Sequence, residues 1–299
     1  MAGERGGGER GAADRPAVLV LGDVLIDELR TPDGSTDVAG GSALNVAVGF
    51  AVLGVPAVLA GMVGDDPAGA LLRGHLEEHG VPLLATAAPL GTGRAVSDRT
   101  AGEPRYSFSE ASRRRTIVPT PALRRAAARA DLIVVSGFPF DDPDEVQTLT
   151  ALVPPTARLA IDANPRPGLL RDRAAFAEGL LRLAARADLV KLGAEDAELV
   201  FGAALADGTA RLLASGARAV LETAGSAGAA LVRGSERTDA PVTTAPGAIV
   251  DTMGAGDATF TTVVAALTSD ESDSAVLGRA MAIAAATIRS PGGLLRPAV

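Results

Sequence analysis

The chain has 299 residues, 47% of them apolar but only 3% aromatic, so a sizeable core must be built mainly from Ala, Val and Leu. There is no cysteine, which excludes disulfides, thiolate catalysis and cysteine metal sites and suits a reducing, cytoplasmic setting. A net charge of −8 argues against a nucleic-acid or anionic-membrane surface, and no apolar run reaches the roughly 18 residues a membrane helix needs.

Residues 1–15, rich in charge and glycine with no apolar signal-peptide centre, read as a disordered tail. AVLVL (17–21) reads as a buried strand stopping at Gly22. Residues 29–39 and 93–109 carry turn signals and alternating polarity, and are expected to form exposed antiparallel ribbons in a small lid. SALNVAVGFAVL (42–53) reads as a buried helix closed by Gly54, VPAVLAGMVG as the next strand, and 67–79 as an amphipathic helix stopped by Gly80. Apolar strands follow at 131–137, 157–164, 188–193 and 217–225, separated by Ala-, Leu- and Arg-rich helices. No repeat or linker divides residues 16–299. The alternation predicts one α/β domain, doubly wound around a mostly parallel sheet, with the β lid beside it.

Lys191 is the only lysine, and Leu192 follows it, so neither a phosphate-binding Gly-Lys-Ser/Thr loop nor a protein-kinase lysine is present. Phosphate handling would have to rest on backbone amides, arginine and metal. The segment Asp251-Thr252-Met253-Gly254-Ala255-Gly256-Asp257-Ala258 precedes an apolar helix. Small residues at 254–256 allow a tight turn whose amides, with the helix dipole, suit an anion. An aspartate there can accept a proton from an attacking hydroxyl. The bland alternative is a turn with Asp257 as helix cap. Gly40-Gly41-Ser42-Ala43-Leu44-Asn45 also opens a helix: paired glycines admit a ligand, and Asn45 can bond hydroxyls, with capping by Ser42 as the alternative.

The ordered series LGDVLIDEL (21–29), AGGSALNVA, GMVGDD (61–66), DANPRPGLL (162–170), VKLGAEDAELVFG (190–202), ETAGSAG (222–228), DTMGAGD (251–257) and AAATIRSPGG (284–293) resembles the ribokinase-like, or PfkB, carbohydrate kinases. The resemblance runs from about Ala17 to Pro297 and is closest in motif to fructokinase-like members. It implies an ATP- and Mg²⁺-dependent sugar kinase. In this reading Asp257 is the base and the amides of Gly254, Ala255 and Gly256 form the anion hole. Asp27, Gly40, Gly41 and Asn45 hold the sugar, and Thr223, Gly225 and Gly228 line the ATP pocket. Family members often hold K⁺ near the anion hole; the matching positions are Asp251, Met253 and the turn at residues 290–292. The family's Asn-x-x-Glu, tied to magnesium and phosphate, is replaced by Gly193-Ala194-Glu195-Asp196, where Asp196 stands in for the Glu and Glu195 is the other candidate. Thr259–Thr262 also departs from the family's usual Phe and later Gly.

Arg166, in D-x-N-x-R, follows a strand end and is a candidate for the acceptor, with a structural salt bridge as the alternative. The resemblance leans toward fructose or a related ketose, leaving ketodeoxygluconate, ribose and nucleosides open. A non-catalytic sugar or nucleotide sensor is the alternative of another class, and an exposed lid edge is suited to homodimer formation. His75-Leu76-Glu77-Glu78-His79 matches an inverted zinc motif, but with no third ligand evident it reads as a polar helix end. Arg113-Arg114-Arg115 reads as solvated surface.

Overall fold

The computed structural model describes residues 18–98, 105–267, 269–290 and 292–297. The expected tail and the middle of the second lid ribbon lie outside them. The chain opens with β1 (Val18–Gly22), then β2 (Leu25–Thr31), β3 (Gly34–Gly40), α1 (Ser42–Val52), β4 (Ala57–Met62), α2 (Pro67–Glu78) and β5 (Leu83–Thr86). There follow β6 (Gly93–Asp98), β7 (Arg105–Phe108), α3 (Glu110–Arg113), α4 (Pro121–Arg129), β8 (Leu132–Ser136), α5 (Pro143–Leu152), β9 (Arg158–Asp162) and α6 (Arg173–Ala184). The last third holds β10 (Leu189–Gly193), α7 (Ala194–Phe201), α8 (Leu205–Ser215), β11 (Val220–Thr223), β12 (Ala229–Arg233), β13 (Glu236–Ala240), α9 (Ala255–Ala265) and α10 (Asp273–Thr287).

Local chemistry explains many of the boundaries. Asp66, Thr120 and Asp142 each cap a helix whose next residue is proline, which needs no amide partner and already has a helical φ. Gly202 and Gly216 end α7 and α8 in the left-handed conformation that a side chain resists.

Among the described residues, nine strands form the main sheet in the order β13-β12-β11-β10-β9-β8-β1-β4-β5. Pairing is parallel from β11 to β5 and antiparallel at the β11–β12–β13 edge. Alternate residues of β1 feed two cores: Val18 and Val20 pack with Phe50, Phe260 and Leu277, whereas Leu19 and Leu21 pack with Ile133, Phe140 and Leu180. Burial on both faces is why these strands read as unbroken apolar runs. From β1 the chain winds outward through β4 and β5, then crosses to β8 and winds the other way. The carboxyl ends of β1 and β8, where Gly22 pairs with Ser136, therefore flank the switch point at which open α/β sheets place ligands.

The lid departs from expectation in two ways. β2 begins at Leu25, ahead of the predicted residue 29, and the two antiparallel ribbons are fused by a parallel β2–β6 pairing into a sheet ordered β3-β2-β6-β7. A side chain on Gly168 would stand 2.7 Å from the Phe108 ring, so the lid rests directly on the loop after β9.

Candidate active site

The first turn of α9 begins at Gly254, whose φ of 75° is left-handed and whose missing Cβ would lie 1.9 Å from the Gly293 carbonyl oxygen. Only glycine meets both demands. The first helical bond runs from Ala258 N–H to Gly254 O at 2.8 Å, so the amides just before it have no acceptor within the helix. Asp257 is the third residue of the helix, so it does not serve as that helix's cap. Its Oδ1 accepts the Ser42 hydroxyl and its Oδ2 accepts the Asn45 amide, each at 2.8 Å. With its one proton given to Asp257, Ser42 receives that of Ser136, the buried end of β8.

Both donors come from α1, which Gly41 opens at φ 101°. The alternative in which Ser42 caps that helix does not hold: Gly41 is the cap position and the Ser42 hydroxyl points across to α9. Asn45, expected on sugar hydroxyls, is engaged with Asp257. A side chain on Gly40 would overlap the Asp27 carboxylate, and one on Gly41 would overlap the Asp23 carbonyl. The predicted group Asp27, Gly40, Gly41, Asn45 and Asp257 thus converges at one place, joined by Ser42, read from the sequence only as a helix cap, and by Ser136, which no motif contains.

Electrostatics tie further carboxylates to the same cleft. Burial pushes Asp27 up to about 6, eased by Arg166 and reinforced by Asp257, Asp251 and Asp23. Asp23 is likewise raised to about 6 by burial, against the pull of Arg115 and Arg166. Arg166 is exposed and makes no ion pair among the described residues, so its charge faces the acidic cleft rather than a structural partner. Arg115 corrects the reading of 113–115 as surface. It pairs with Asp23 at 3.1 Å, inside a cavity also lined by Gly22, Gly93 and Gly137.

Thr223 ends β11 beside Gly193, and Gly225 and Gly228 bracket a single 3₁₀ turn. A side chain on Gly228 would overlap Ala240 O, so the turn lies close against β13. Arg289 holds the nearby loop through the carbonyls of Ala245 and Gly247. The residues that follow the two segments matched to K⁺, Gly254 and Gly293, are in close contact. In the first segment Asp251 Oδ1 accepts the Met253 amide at 3.0 Å. Asp196 Oδ2 is committed to the Gly193 amide at 2.8 Å, and Glu195 is exposed on the first turn of α7. Lys191 is buried below the α9 turn with Asp162.

The His75–His79 segment differs from expectation, because Glu78 does bring a third ligand group within 4.8 Å of both imidazoles. However, His79 Nδ1 is bonded to His75 O at 2.8 Å, and His75 Nε2 is shut off from solvent with no partner. No helix among the described residues is long and apolar enough to cross a membrane.

A family model described as pfkB family carbohydrate kinase matches residues 18–297. A fructokinase of Klebsiella pneumoniae is 32% identical over 261 residues, 84% of each chain. The structure of a fructokinase with bound ATP from Xylella fastidiosa superposes with a TM-score of 0.76 at 22% identity, covering 93% of both chains. That of a Vibrio cholerae fructokinase with fructose, ADP and potassium ion bound gives 0.73 at 18% identity, covering 93% of this chain and 94% of that one.

Proposed function

Because the chain belongs to the pfkB family of carbohydrate kinases, phosphotransferases acting on sugar hydroxyls, we propose that its acceptor is fructose or a related ketose and that Asp257 is its base. The observation that carries the second part is the carboxylate of Asp257, held by two donors at the mouth of an amide-lined helix N-terminus. Bonds to Ser42 and Asn45 fix its orientation before any substrate arrives, and this preorganisation is what general-base catalysis requires.

In the reaction the sugar hydroxyl gives its proton to Asp257 as its oxygen attacks the γ-phosphorus of ATP. The bond to the β-γ bridging oxygen breaks and ADP leaves. The amides of Gly254, Ala255 and Gly256 face the charge that gathers on the phosphoryl oxygens, where fixed donors are most effective. Asp27, beside Gly40, and the unpaired Arg166 hold the acceptor's hydroxyls. The 3₁₀ turn at Gly225–Gly228, with Thr223, borders the nucleotide. Both Arg166 and the lid strands are elements through which acceptor choice is set.

Bound Mg²⁺ would neutralise phosphate charge, and K⁺ would support the anion-hole turn. The Asp251–Met253 turn, packed on the Gly293 segment, fits a cation held by a carboxylate and carbonyls. Glu195, exposed on the first turn of α7, and the Asp196 oxygen not bonded to Gly193 would hold magnesium through water, since Mg²⁺ keeps much of its hydration and takes few protein carboxylates.

The test is ADP release with Mg·ATP against fructose, ketodeoxygluconate, ribose and nucleosides, with and without K⁺. We expect fructose or a related ketose to give the highest kcat/KM. Asp257→Asn should lower kcat by about 10²–10⁴-fold with little change in nucleotide binding. Near-normal turnover in that variant would remove Asp257 from the mechanism.

A further inference from the structure

Lys191 is the only lysine in the chain and it is 5% exposed. Its Nζ donates to Asp162 Oδ1 at 2.9 Å, while Asp162 is fully buried and its Oδ2 has no hydrogen-bond partner. Strand alternation sends Leu189 and Lys191 to the sheet face that α9 covers. A Cβ on Gly256, the second residue of α9, would stand 3.4 Å from Lys191 Cε and 3.5 Å from Nζ. The ammonium therefore lies directly under the turn whose amides face the substrate.

The sign of this arrangement is informative. A helix N-terminus carries partial positive charge, so a buried cation beneath it is unfavourable for folding unless negative charge is close. Burial pulls Lys191 down, but Asp162 first, then Asp196 and Asp257, more than offset this and hold it above its ordinary value. The lysine is thus kept charged at a place where the fold alone gains little from a charge. For stability, an apolar pair of the same volume would serve as well. A further anion above the turn is what the arrangement accommodates.

We propose that Lys191 is a positioning residue for phosphoryl transfer. Held by Asp162, it reinforces through the Gly254–Asp257 turn the positive potential that meets the transferring phosphoryl group. The inference rests on the kinase reading above. It also supplies a cation in the segment where Gly193 provides no side-chain donor.

The experiment compares wild type, Lys191→Met and the double variant Asp162→Asn/Lys191→Met, with kcat normalised to the nucleotide sites titrated by ADP. Removing both charges leaves no buried ion unpaired, so the double variant should melt above Lys191→Met, which strands the Asp162 carboxylate. The double variant's kcat should still fall about 10–100-fold, somewhat less than the loss of a directly contacting donor, with both KM values within about threefold. A double variant that regains wild-type kcat would overturn the proposal, leaving Lys191 a structural counter-ion. A second readout needs no variant. Lysine-selective ¹³Cε labelling gives one signal, which should move when wild type with the sugar passes from Mg·ADP to Mg·ADP–aluminium fluoride. A stationary signal would also overturn it. Wild type inactive with every sugar would instead bring down the kinase reading, and this inference with it.

Discussion

Asp257 depends on residues more than 200 positions away, and that distance separates what its motif announces from what it conceals. The carboxylate's neighbourhood with glycine and alanine is visible in the chain, as is Asn45. The link from Ser136 through Ser42 is not, because it exists only once β8, α1 and α9 are packed together. Arg115 shows the same limit: in sequence it is one of three adjacent arginines, yet it alone turns inward to Asp23. Ser42→Ala removes one of the two donors that orient Asp257 while keeping the helix. We expect kcat to fall about tenfold, the scale of losing a single positioning bond in a catalytic group. KM for ATP should hold, and steady-state kinetics with the preferred sugar would check both.

At the scale of elements, the apolar parallel strands and the glycine-stopped helices were legible because each carries its own signal, a buried run or a punctuating residue. The antiparallel β12–β13 edge was not, since the five-residue strand AALVR and its mostly polar partner ERTDA carry no strong period. The lid ribbons were foreseen, but not the parallel seam between them, which depends on pairing across more than 60 residues. The α9 turn gives a sharp contrast between neighbouring glycines. Gly254→Ala forces a Cβ into Gly293 O at positive φ, and should cost about 2–3 kcal/mol in urea unfolding along with turnover. Gly256→Ala places its Cβ at ordinary contact distance from Lys191, and its effect on unfolding should stay below about 1 kcal/mol.

For the molecule as a whole, the cleft gathers Asp23 and Asp27, each raised to about 6 by burial, above a floor where Asp162 pairs with Lys191. An unfolded aspartate titrates near 3.9, so between these values the native state binds more protons and stability falls as pH rises. Their contribution is fully present below about pH 4 and is lost on passing 6. Asp66 and Asp142 act oppositely, but their lowered values confine that effect to more acid conditions. The ligand-free protein should therefore lose stability from pH 4.5 to 7. Asp27→Asn should recover up to about 3 kcal/mol at pH 7 and little at pH 4, read from urea midpoints. The same buried floor has a chemical consequence for handling the protein. With Lys191 inside, the folded domain shows no side-chain amine to acylating or cross-linking reagents, although it is rich in arginine. Modification of Lys191 then reports the opening of the sheet beneath α9, so a simple acylation rate becomes a clock for that local motion.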